Sequence, residues 1–375
     1  MIPINSKLMG LQRSAIRAYT NLAKTVEDCV MLTIGEPDFD TPQPIKDAAI
    51  AALEANQTHY APNQGTEALR AAIASFETKR GNICSDANVL VTVGACEALF
   101  TALFGILNPG DEVIVPTPRF LLYDTIITVA GAKLIPLDLT NTDFQITKEA
   151  LDALITPKTK AIILNSPNNP TGAVYSAESL ENVTAAVQGK PIYVVCDNVY
   201  QQLALTPVPD LTKDEDLKEQ VLLCQSFSKP YAMTGWRCGY LTGSEEVIGR
   251  LLLLHAGLVT TVPTFVQTAC ITALETDPAP MAEAYAHRRD YVCSRLRAMG
   301  LSFPEPEGAF YVFPNIERFG LTSAEFCTRM IKEAKVATVP GSCFGGEGHI
   351  RISYCCSDEN LKKGLDRMEA FLKTL

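Results

Sequence analysis

Short apolar, largely β-branched runs alternate along the chain with stretches whose apolar positions recur at helical spacing. The runs are Val89–Val93, Glu112–Val115, Ala132–Leu139, Ala161–Leu164, Ile192–Cys196 and Val221–Cys224. They lack the polar alternation of a half-exposed strand, so burial on both faces is expected, as in a parallel sheet covered by helices. Between the runs, Thr66–Arg80 places Leu69, Ala72, Ile73 and Phe76 on one helical stripe. Glu97–Leu107 reads as a further helix, ended by the turn Asn108-Pro109-Gly110. The C-terminal part differs in character. Met281–Met299 is a long charged helix, Gly308–Phe313 a strand rich in aromatics, and Ser357–Leu375 a closing helix with Leu361, Leu365, Met368 and Leu372 on one stripe. Ser357 suits the N-cap, with Asp358 and Glu359 in the first turn. The pattern predicts an α/β chain: a large domain with a mostly parallel sheet sandwiched by helices, then a smaller α+β domain. No internal repeat is visible.

Composition narrows the function classes. A chain of 375 residues holds two or three domains at about 150 residues each, or one large domain with a smaller partner. Hydrophobic residues are 47% and charged residues 20%, which supplies a core and argues against dominant disorder. The balance of 32 basic and 42 acidic residues gives −10, which argues against a nucleic-acid partner and leaves room for a local anion pocket. The 12 cysteines are irregularly spaced, include the adjacent Cys355-Cys356, and form no CxxC pair, so no metal is expected. Met1–Tyr19, with Lys7, Arg13 and Arg17, shows no apolar signal core. The longest apolar stretch, Ala98–Leu107, is too short to span a bilayer. A reduced, cytoplasmic chain without a membrane partner is expected.

Ligands of open α/β sheets bind at the carboxyl ends of the strands. After Val89–Val93 come Gly94-Ala95-Cys96, small residues at a helix start whose backbone N–H groups suit a phosphate. Asn165-Ser166-Pro167-Asn168-Asn169 follows the fourth run, Asp197 and then Tyr200 the fifth, and Gln225-Ser226-Phe227-Ser228-Lys229 the sixth. Arg237 follows within Thr234-Gly235-Trp236-Arg237. A lysine for a Schiff base, a carboxylate for a pyridinium nitrogen and phosphate donors together fit pyridoxal phosphate chemistry.

At this point the chain resembles a known family, the class I aminotransferases, which are fold type I pyridoxal phosphate enzymes. The resemblance covers nearly the whole chain. Its motifs are Gly35-Glu36-Pro37-Asp38-Phe39-Asp40-Thr41-Pro42, Tyr60-Ala61-Pro62-Asn63-Gln64-Gly65, Asn169-Pro170-Thr171-Gly172, Ser228-Lys229, Met233-Thr234-Gly235-Trp236-Arg237, Gly308-Ala309-Phe310-Tyr311 and Arg351-Ile352-Ser353-Tyr354. Any one is weak; all of them in family order are specific. Within the class the chain looks like the aspartate, aromatic and N-acetyl-diaminopimelate subgroup. Leu321-Thr322-Ser323 and Val339-Pro340-Gly341-Ser342 lean towards its last two members.

The resemblance implies pyridoxal 5′-phosphate as cofactor. It implies Lys229 as the Schiff-base lysine and proton shuttle, and Asp197 as the partner of the pyridinium nitrogen. Tyr200 and Asn169 would hydrogen-bond the ring 3′-oxygen. Taken alone, Tyr200 reads as a packed core tyrosine and Asn169 as a turn residue before a proline. Ser226, Ser228 and Arg237 would bind the phosphate with the N–H groups of Ala95 and Cys96, and Phe120 would lie on the ring face. Gly35 and Asn169 would meet the substrate, and Arg351 would grip its α-carboxylate. Tyr60 would reach the neighbouring active site of a homodimer. Residues 37–273 would form the large domain, and 1–36 with 274–375 the small one.

Three residues depart from the family pattern. Cys96 stands where dicarboxylate-preferring members often have lysine, and Pro230 where threonine is common. Arg119 is expected to face solvent at the mouth of the site, with contact to a distal carboxylate as the alternative. The expected activity is amino transfer from an aromatic amino acid, aspartate or a related donor to 2-oxoglutarate by a ping-pong mechanism. A carbon–sulfur β-lyase on the same scaffold is the first alternative. A regulatory module without turnover and a metal or redox protein built on the cysteines are the others.

Overall fold

The computed structural model describes residues 2, 4–11, 15–82 and 84–375. Arg13 of the opening stretch lies outside them. Among the described residues, seven strands form the central sheet: β2 (Val89–Thr92), β3 (Glu112–Thr117), β4 (Lys133–Asp138), β5 (Thr159–Asn165), β6 (Tyr193–Asp197), β7 (Val221–Ser226) and β8 (Gly239–Thr242), with β1 (Val30–Met31) outside it. Their order is β2-β8-β7-β6-β5-β3-β4. Neighbours are parallel except at β8, which runs antiparallel to both β2 and β7.

β8 lies outside the apolar runs read from the sequence. A Cβ on Gly239 would lie 2.5 Å from the Gln225 carbonyl oxygen, so this glycine marks a close approach between strands. β4 departs from the expectation of two buried faces. It closes the sheet at one edge, with Lys133, Pro136 and Asp138 exposed. Proline is tolerated there because an edge strand leaves N–H groups unpaired.

β3, β5, β6 and β7 alternate their apolar side chains between two cores. Ile114, Ile162, Leu164, Val194 and Leu223 pack on one face with Leu180 and Val183. Leu90, Val113, Val115, Ile163, Val195, Leu222 and Leu241 pack on the other with Leu99, Leu103 and Ile126. The helix Gly94–Ile106 begins before Glu97, so Gly94, Ala95 and Cys96 form its first turn against the sheet's carboxyl edge.

A separate core gathers Tyr285, Leu296, Phe310, Val312, Phe326, Ile352, Leu365 and Met368. It is framed by the helices Ala279–Ala298 and Asp358–Leu372. Beside it lies a three-stranded antiparallel sheet of β9 (Tyr311–Val312), β12 (Ile350–Ser353) and β11 (Val339–Pro340), and β10 (Val336–Ala337) pairs with β1. β9 is shorter than the predicted Gly308–Phe313 because Ala309 adopts a left-handed backbone with φ 57°. Among the described residues, no helix is long and apolar enough to cross a membrane, and the 12 cysteines are free thiols.

The closing helix separates two sources of stability. Ser357 caps it by accepting a hydrogen bond from the Asn360 N–H, and Leu365 is fully buried. Ser357→Ala is expected to cost about 1 kcal/mol, and Leu365→Ala about 2–5 kcal/mol. Thermal and urea unfolding of the two variants should preserve that ranking.

Candidate active site

The carboxyl ends of β5, β6 and β7 open onto a cavity of about 260 Å³. Gly35, Ala95, Cys96, Phe120, Asn169, Asp197, Tyr200, Ser226, Ser228, Lys229, Arg237 and Arg351 all line it. Residues far apart in the sequence are thus brought to one place. Tyr60 is the predicted residue that lies outside, on the surface and 88% exposed.

Asp197 ends β6 in register with Asn165 of β5 and Cys224 of β7. Its residue is 3% exposed. The Tyr123 hydroxyl donates to Oδ2 at 2.6 Å, and the Asn165 side-chain amide donates to the Asp197 carbonyl at 2.8 Å. Oδ1 is buried and has no partner among the described residues. Burial raises the carboxyl to about 6, and the Tyr123 hydrogen bond opposes the rise.

Lys229 follows β7, and its Nζ donates to the Gly35 carbonyl at 2.6 Å. Burial lowers its pKa below the ordinary lysine range, which favours the neutral, nucleophilic amine. The Ser226 hydroxyl accepts from the Ser228 N–H at 3.0 Å, which shapes the turn leading to the lysine. Arg237 adopts a left-handed backbone with φ 55°. Its guanidinium donates to the Thr234 carbonyl at 2.9 Å and lies so near Gly94 that a Cβ there would sit 2.8 Å from Nη2. An arginine fork therefore faces the first turn of Gly94–Ile106, where a helix leaves N–H groups without intrahelical acceptors. Such a pairing binds anions.

Arg351 lies on β12 and is 2% exposed. It donates to Asn169 Oδ1 at 2.8 Å and to the Thr33 carbonyl at 2.6 Å. Its guanidinium carbon lies 4.6 Å from the Tyr311 ring centroid and 4.9 Å from that of Phe344. Phe120 lines the cavity with its ring edge-on to Tyr123.

Sequence reasoning assigned no role to Tyr123, Asn165, Thr234 or Tyr311. Ile16, Leu99 and Val199 also line the cavity unforeseen. An aromatic beside a predicted site residue, as Tyr123 is beside Phe120, is the one available signal, and core tyrosines carry it too. The expected solvent-facing Arg119 is corrected. It donates to both oxygens of Asp124, at 2.9 and 2.6 Å, and to Thr117 at 3.1 Å. Its fork is held by neighbours that the sequence order conceals.

The family described as aminotransferase class I and II matches residues 27–368. The chain belongs to that family. It is 38% identical to the probable N-acetyl-LL-diaminopimelate aminotransferase of Bacillus subtilis, over 98% of this chain and 95% of that one. It is 40% identical to the aspartate aminotransferase of Pyrococcus abyssi, over 99% and 98% of the two chains. The crystal structure of aspartate aminotransferase from Thermotoga maritima superposes with a TM-score of 0.95 at 36% identity, covering 99% of this chain and 100% of that one. Amino-group transfer is therefore the activity of this aminotransferase, and its large sheet is that of fold type I.

The raised Asp197 pKa makes a prediction for the cofactor-free aminotransferase. The folded state holds a proton that the unfolded chain releases near pH 4, so stability falls as pH rises from about 4 to about 6. The loss is on the order of 3 kcal/mol. Urea unfolding of wild type and Asp197→Asn across that range measures it: the difference between them should grow with pH and level off above 6.

Proposed function

We propose that the cavity holds pyridoxal 5′-phosphate and that the residues lining it divide the work of transamination. The observation that carries this reading is the buried, unpartnered Oδ1 of Asp197 in the same cavity as the desolvated amine of Lys229. A buried carboxylate oxygen without a donor is costly unless a charged or hydrogen-bearing group meets it. A protonated pyridine nitrogen is such a group. Lys229 would attach the cofactor covalently, and Arg237, Ser226, Ser228 and the first-turn N–H groups of Ala95 and Cys96 would hold its phosphate. Tyr200 and Asn169 would reach its 3′-oxygen, and Phe120 would cover a ring face. When bound, pyridoxal phosphate supplies an electron sink for the substrate Cα and a carrier for the amino group.

The protein's own part is binding, orientation and proton movement. Arg351 binds the α-carboxylate as a planar fork beside Gly35, which fixes the Cα bond that will break. Lys229, once freed, moves the proton at Cα as general base and then general acid. Burial lowers its pKa, which favours the neutral amine that can take this proton. Two half-reactions in sequence give a ping-pong mechanism, with 2-oxoglutarate as the second acceptor. Aromatic amino acids, aspartate and related donors are the candidates, because the relatives' names span those substrates.

The same reading divides the chain into a large domain at 37–273 and a small one from 1–36 and 274–375. Closure of the small domain would bring Arg351 over the substrate and exclude water. It also makes the working unit a cytoplasmic homodimer. The 88% exposure of Tyr60, and of Leu253 at 68%, supports a surface that meets a second copy.

The test is the absorption of purified protein with pyridoxal phosphate while single amino acids are added. A change with one donor, reversed by 2-oxoglutarate, is expected. Pyruvate and ammonia formed without an oxo-acid acceptor would instead mean a lyase, and identical spectra for wild type and Lys229→Ala would remove the cofactor reading. Arg351→Ala should lower kcat/KM by about 10²–10³, mostly through KM.

A further inference from the structure

Tyr311 touches three groups to which the proposed function gives separate tasks, and it has none of its own there. Its hydroxyl lies 3.0 Å from the hydroxyl of Tyr200. Its ring lies beneath the Arg351 guanidinium at 4.6 Å. The same hydroxyl fills the space where Gly35 would carry a side chain: a Cβ built there would come within 1.9 Å of it. Tyr311 is 1% exposed and lines the cavity. β9 pairs it with Ser353 of β12, the strand that carries Arg351. Its backbone is therefore anchored to the same strand as the arginine.

We propose that Tyr311 is a positioning residue that sets both the plane of Arg351 and the direction in which the Tyr200 hydroxyl donates. The argument for the plane is geometric. Two hydrogen bonds, to Asn169 and to Thr33, fix two nitrogens of the fork. A fork held at two points can still tilt about the line joining them. Tyr311 on one contact and Phe344 on another, at 4.6 and 4.9 Å, restrict that tilt, and a ring face also attracts the cation. A bidentate grip on a carboxylate depends on the plane being right.

The argument for the hydroxyl concerns its one proton. Between two phenols 3.0 Å apart, one donates and the other accepts. When Tyr200 donates to an oxygen in the cavity, Tyr311 must be the donor between them. It then aims the Tyr200 proton away from itself and strengthens Tyr200 as a donor. Both arms rest on the roles proposed for Arg351 and Tyr200, and the experiment includes those residues as references.

Two variants separate the arms. Tyr311→Phe keeps the ring and removes the hydroxyl; Tyr311→Leu removes both. The readouts are the pH midpoint of the bound cofactor's absorbance without substrate, and KM and kcat for the donor found by the amino-acid panel. Tyr311→Phe is expected to raise the pH midpoint with KM within about twofold of wild type. Tyr311→Leu is expected to raise the midpoint equally and to raise KM by tenfold or more, with circular dichroism confirming that it folds. An unmoved midpoint in Tyr311→Phe, where Tyr200→Phe does move it, overturns the hydroxyl arm. An unchanged KM in Tyr311→Leu, where Arg351→Ala raises it, overturns the stacking arm. If Tyr200→Phe and Arg351→Ala themselves change nothing, the roles assigned to those two residues fail instead.

Discussion

The structure depends on a carboxylate kept where water cannot reach it. Asp197 sits at the carboxyl end of a central strand, with covered strands on either side, so its charge is opposed by desolvation. Only one of its side-chain oxygens is satisfied, by Tyr123. The arrangement persists because the sheet around it is stable enough to carry the cost. The strands β5, β6 and β7 are buried almost throughout, and two apolar cores clamp their faces. A stability loss stored at one residue is a common feature of sites that wait for a partner.

From that residue outward, a series of hydrogen bonds ties the chain together. Asn165 donates to the carbonyl of Asp197 and accepts from the N–H of Asn169. Asn169 in turn accepts from Arg351, whose other nitrogen reaches Thr33. Four segments distant in sequence are thus joined through two asparagines and one arginine. Moving any one of them displaces the others, which is how side chains from separate elements hold a common geometry.

Much of this was legible beforehand because parallel strands are short and uniformly apolar, and the residue after each one is conspicuous. Asp197, Lys229 and the Gly94-Ala95-Cys96 turn follow from that rule. The parts that were not legible share a physical cause. β8 begins with a glycine, and a glycine that permits close strand approach looks the same in sequence as one that makes a turn. Tyr123 and Tyr311 are buried tyrosines among 12 in the chain, and burial alone does not separate a core ring from a ring that presents its hydroxyl. The pairing of Arg119 is hidden from the sequence because its partner Asp124 lies on the first turn of the helix Leu122–Ala130, and whether that turn faces back to the arginine is a tertiary matter.

The three cations of the cavity differ in how firmly they are held, and the differences suit their proposed tasks. Arg351 has two hydrogen bonds and two ring faces, the restraint expected of a group that must present a fixed plane. Arg237 is fixed mainly through its left-handed backbone and a carbonyl contact, and it faces a helix start that needs only a charge in the right place. Lys229 has a single hydrogen bond, to Gly35, and a desolvated amine. A residue that must bind, release and then carry a proton cannot be anchored more tightly without slowing one of those steps. The lightest restraint therefore falls on the group with the most to do, and the rigid groups around it define the space in which it moves.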